Sequence, residues 1–155
     1  MCDALNRADA WAPNYPRIAC NVAEVLWLLE STAEIGTIEL SIREKVLKPD
    51  FRYPMVDARL SMARLAALGR RYDDAAGWFV QARAVLDAQG ARPVRAIVDY
   101  DEALMYFRRR AGGDRERALP LLEAALVQFR EIGMTGWIRR AVGLRDSTQQ
   151  ADTMS

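Results

Sequence analysis

The chain has 155 residues, 51 % of them hydrophobic and 28 % charged, with a formal net charge of +1, a balance that fits one soluble globular domain and no disordered or strongly basic segment. It contains no histidine, which excludes serine-type triads, His-ligated zinc and imidazole pH switches within these residues. Its two cysteines, Cys2 and Cys20, lack CxxC spacing, and no apolar run is long enough for a signal peptide or a membrane span, so the expectation is a reduced, cytoplasmic setting.

Residues 1–15 read as an N-terminal extension. Pro16 opens a helix to about Glu30, with a stripe of Ile18, Val22, Val25, Leu26 and Leu29, since proline suits the first helical turn and apolar residues at threes and fours mark one face. A turn from Ser31 to Gly36 leads to a second helix with Ile38, Ile42 and Val46, stopped by Pro49. Pro54 opens a third with Val56, Leu60, Ala63 and Ala67, closed by Gly69 as a C-cap. Tyr72 and Asp73 start a fourth, whose stripe is Ala75, Phe79, Ala82 and Leu86 and whose end is Gly90. Pro93 to about Arg110 is a fifth, with Ile97, Tyr100, Leu104 and Phe107. A sixth begins at Asp114, carries Ala118, Leu122, Ala125 and Phe129, and contains Pro120, which costs one hydrogen bond. A seventh, shorter helix from Thr135 to Leu144 carries Trp137, Ile138 and Ala141, and residues 146–155 read as a flexible polar tail.

The three prolines Pro16, Pro54 and Pro93 stand 38 and 39 residues apart, and a shift of 43 carries Ala75 to Ala118, Phe79 to Leu122, Ala82 to Ala125 and Gly90 to Gly133. Such self-similarity marks a stack of helical hairpins. The spacing predicts hairpins at 16–48, 54–89 and 93–132, a capping helix at 135–145, and one repeat domain over 16–145. Small and large residues alternate at intervals of four and three, so Ala63 and Ala103 are the expected small partners on the preceding helices.

Gly69-Arg70-Arg71-Tyr72-Asp73-Asp74-Ala75, followed by Phe79 and Ala82, resembles the turn and second helix of a tetratricopeptide repeat, and Gly113 to Ala118 resembles the same turn with arginine for the aromatic. The resemblance implies an all-α fold, a tetratricopeptide-like right-handed superhelix of antiparallel hairpins with about seven helices. The first hairpin keeps the apolar period without the alanines, and the repeats exceed the usual length of about 34 residues. The strings Arg43 to Leu47, Asp50 to Asp57 and Ile132 to Trp137 resemble the C-terminal helical-repeat region of bacterial signalling ATPases of the AAA or STAND type, regulators with adenylate-cyclase or helix-turn-helix outputs. That family implies a region for protein interaction or sensing. No G-x-x-x-x-G-K-[ST] loop is present, so ATP hydrolysis does not carry over.

Asp99, Asp101 and Glu102 cluster on the fifth helix, where carboxylates can hold a divalent metal or perform acid-base work, or form a solvated, salt-bridged face. Arg108, Arg109, Arg110, Arg115 and Arg117 make a basic corner, read either as phosphate or acidic-peptide contacts or as charges suited to a helix C-terminus. Trp27, Trp78 and Trp137 read as ligand stacking or as packing, and Cys20 as a small buried hydrophobe. In tetratricopeptide-like stacks the first helix of each hairpin lines the concave groove, so the resemblance assigns Arg64, Tyr100, Phe107 and Arg108 to partner binding, for an extended peptide or a helix bearing acidic and apolar residues. The functional expectation is a non-catalytic scaffold with a protein or peptide partner, no cofactor, no metal and no direct nucleic acid or membrane contact. The alternative is a small-molecule-sensing repeat domain. The apolar N-terminal hairpin calls for a cover, either a preceding repeat or a second copy of the chain.

Overall fold

The computed structural model describes residues 15–47 and 56–153, with side chains as far as Thr148. Among these the protein is all-helical, with seven helices and no strand: α1 Tyr15–Leu28, α2 Ile35–Lys45, α3 Ala58–Leu68, α4 Tyr72–Gln89, α5 Arg92–Arg109, α6 Asp114–Ile132 and α7 Thr135–Thr153. No helix among them is long and apolar enough to cross a membrane. The expectations for Cys2, Pro49, Pro54 and nearly all of the N-terminal extension lie outside the described residues. Two compact units, Met1–Ala84 and Val85–Ser155, divide the chain inside α4.

In the first unit α1 packs on α2 and α3, and α2 packs on α3. The inward face of α1 is Ala19, Cys20, Val22, Ala23, Leu26 and Trp27; of the expected stripe Val22 and Leu26 are buried and Ile18 packs against the core, whereas Val25 and Leu29 are 38 % and 69 % exposed. The face is rotated toward the alanines, since a methyl lets backbones approach where a branched chain does not. The first hairpin therefore does use small residues. Helix α3 starts four residues after Pro54: Asp57 is its N-cap, its carboxylate accepting from the N–H groups of Arg59 at 2.8 Å and Leu60 at 3.1 Å. This satisfies two of the free donors of a helix start. Val56 thus precedes the helix. From Ala58 to Ala67 every residue of α3 is buried, the pattern of a helix enclosed on all sides.

In the second unit α5 and α6 form a closely packed hairpin, and α7 packs on α6 and α5. Ala103, Ala118, Leu122, Ala125, Phe129 and Ala141 are fully enclosed at the contact, and Ala63, Ala75, Phe79 and Ala82 are fully buried on their own helices. Helix α7 continues to Thr153, past Leu144 and through the segment read as tail. Neither proline nor glycine follows Gly143 to stop it, the Ser147 and Thr148 hydroxyls donate back to the carbonyls of Leu144 and Arg145, and Arg115 donates to the Thr148 carbonyl at 3.1 Å.

One device ends α1, α3, α4 and α6: a residue at positive φ, followed by an N–H that donates five residues back. Ser31 donates to Leu26, Arg71 to Ala66, Ala91 to Leu86 and Met134 to Phe129, all near 3 Å, which is the Schellman closure. Gly90 and Gly133 occupy two of these left-handed positions, but Glu30 and Arg70 occupy the others at φ 51° and 59°. Gly69 is the C-cap of α3 as expected, but it keeps φ −76°, so the left-handed position is Arg70, the next residue. A side chain at positive φ carries a steric cost of about 1 kcal/mol. Replacing the exposed Arg70 by glycine should therefore raise stability by about 0.5–1 kcal/mol in urea denaturation with an unchanged m-value.

Candidate partner-binding site

Helix α5 has two working faces in the second unit. Its packed face carries Ala96 and Ala103 against α6. Tyr100 stands beside Phe129 of α6 (centroids 6.3 Å) and meets Trp137 of α7 edge-on (5.4 Å, 78°), while Phe129 and Trp137 lie 5.6 Å apart. Such tilted pairs are the favourable geometry for aromatic quadrupoles and add about 0.5–1.5 kcal/mol beyond area burial. The exposed Arg140 guanidinium sits over the half-buried Trp137 indole, 4.8 Å from its centroid, a cation-π contact. Burial pushes the Tyr100 phenol above its ordinary value, as does the Asp101 carboxylate, whereas Arg140 and Arg108 lie near enough to oppose them. Phe107 is half-buried against the same core, and Arg108 is half-buried one residue on.

Three of the four expected partner residues, Tyr100, Phe107 and Arg108, thus belong to α5 of one unit, joined by Trp137 and Arg140 of α7. Arg140 was not read from the sequence as a site residue; its position one helical turn after Trp137 is the signal that identifies it. Arg64 belongs to the other unit. It is 5 % exposed, with Nη1 3.8 Å from Glu24 Oε2, so its guanidinium is committed inside the fold.

The acidic cluster is not a solvated face: Asp99, Asp101 and Glu102 are 7 %, 1 % and 7 % exposed. Arg95 donates to Asp99 at 2.5 Å, and the Tyr106 hydroxyl donates to Glu102 at 3.4 Å. No group of three or more Asp, Glu, Cys or His among the described residues is arranged to hold a metal. The basic corner divides. Arg109 binds Asp114 through two hydrogen bonds, one of 2.8 Å from Nε, and lies over the Tyr106 ring at 5.2 Å. Arg115 is turned to the Thr148 carbonyl, and Arg110 and Arg117 are exposed. Trp27 is buried, and Trp78 packs on the first unit's core beneath Arg43. Packing therefore accounts for both.

Cys20 is enclosed between α1 and α3 beside Ser61. Burial pushes its thiol up to about 11, with the Ser61 hydrogen bond opposing. Only the thiolate is nucleophilic.

No protein-family model, curated protein or solved structure matches this chain.

With its thiol pushed to about 11, Cys20 is expected to stay unlabelled by a thiol reagent at mildly alkaline pH in a Cys2→Ser variant and to react fully once denatured. Labelling of the native protein at the rate of a small-molecule thiol would refute its enclosure. Asp114 gives the pH dependence. The Arg109 guanidinium and the Ala111 N–H hold its carboxyl below the ordinary 3.8, so the pair stabilises the fold above that pH and the contribution fades as pH falls through the lowered value. Asp114→Asn should cost about 2–3 kcal/mol at neutral pH and flatten the acid limb of the stability-pH curve below about pH 4.

Proposed function

We propose that this chain is a non-catalytic, cytoplasmic protein-interaction module that takes an acidic segment of a protein partner on the surface of Arg108, Trp137 and Arg140, with Tyr100 buried beneath it. The tetratricopeptide-like right-handed superhelix is part of this proposal, as is origin in the repeat region of a bacterial signalling or transcriptional regulator of the STAND type. The observation that carries the reading is Arg140 over Trp137 at 4.8 Å, beside a tyrosine that also feels Arg108. Among the described residues Arg140 has the indole as its partner and no carboxylate. A guanidinium over an aromatic face still has N–H groups for a carboxylate, and the half-buried Trp137 indole beneath it suits an apolar residue beside that carboxylate.

The second unit buries Asp99, Asp101, Glu102 and Asp114, but Asp87, Glu116, Glu123, Glu131 and Asp146 are exposed, as are Arg92, Arg110, Arg117, Arg130, Arg139 and Arg140, so the preference for a carboxylate is local to Arg140 and does not come from the unit's overall charge. The test is selection from a displayed peptide library, followed by calorimetry with the selected peptides. Enrichment of Asp and Glu next to an aromatic or aliphatic residue is expected. The double reversal Arg108→Glu, Arg140→Glu should weaken binding by about tenfold or more. Selected peptides without acidic bias, or affinities untouched by the reversal, would sink the assignment.

A further inference from the structure

We draw no further inference here: the strongest candidate, the exposed apolar patch that Val25, Leu28 and, just past the helix end, Leu29 form on α1, carries nothing, because nothing in the structure shows what covers it.

Discussion

Everything in this structure rests on alanine at the helix contacts. Ala19, Ala23, Ala63, Ala75, Ala82, Ala103, Ala118, Ala125 and Ala141 are all fully buried, and none supplies much apolar area of its own. Their contribution is distance: a methyl group lets two helix backbones close until the large residue one turn away fills the remaining space. In the second unit that large residue is Leu122 or Phe129. The consequence reaches the surface. Because α5 and α6 meet across Ala103, Ala118 and Ala125, Tyr100 is brought against Phe129, and α7, closing on both, sets Trp137 on the same pair. Arg140 then takes its place over an indole that packing has fixed. The candidate site is the outer edge of the core and needs no separate scaffold.

Charge follows the same inward and outward logic with a different result in each unit. On α3, Asp57 spends its carboxylate on two helix-start N–H groups and on Arg59, 3.3 Å away. The side chains that look like surface polarity in the sequence are thereby absorbed into the start of an enclosed helix. On α5 and at the start of α6, Asp99, Asp101, Glu102 and Asp114 turn inward. Burying a carboxylate costs several kcal/mol unless hydrogen bonds compensate, and Asp114 receives two from Arg109 and one from the Ala111 N–H. The four buried acids are thus absorbed by the interior, while acids and arginines in nearly equal number stay exposed on the second unit.

The sequence shows the hairpins well because proline, glycine and the alanine-large-alanine alternation are local signals of a periodic packing problem. The stripes Ala75-Phe79-Ala82 and Ala118-Leu122-Ala125 are buried as read. On α1 the reading is rotated toward Val25 and Leu29 and misses Ala19 and Ala23, although Val22 and Leu26 are buried as read and Ile18 packs on the core, because hydrophobicity alone ranks the branched residues above alanine. Only the partner helix decides between them. The end of α3 at Gly69 is as read, but the left-handed residue that follows is Arg70, at φ 59°. The resemblance assigns Arg64 to a groove because it lies on the first helix of a hairpin, an expectation that fails on a helix whose residues are buried all round. The polar composition after Gly143 hid the length of α7, whose hydroxyls bond back to their own helix.

Arginine is the residue on which the functional reading turns, and its positions are not equivalent. The basic corner that stands out in the sequence is centred on Arg109, but a guanidinium that already holds a buried carboxylate by two hydrogen bonds has little left for a partner, and releasing it would strand Asp114 in the interior. Arg115 is occupied by the Thr148 carbonyl. Arg140 meets the opposite condition. It is exposed, and its guanidinium carbon lies 4.8 Å from the Trp137 ring centroid, a contact that satisfies none of its N–H donors. An aromatic platform of this kind lowers the entropy lost when the side chain is fixed by an incoming carboxylate, without satisfying any of the hydrogen bonds that the carboxylate would make. On the proposed function, the same indole that closes the core of the second unit pre-organises the cation at its rim, so that core packing and partner recognition would be a single requirement on Trp137.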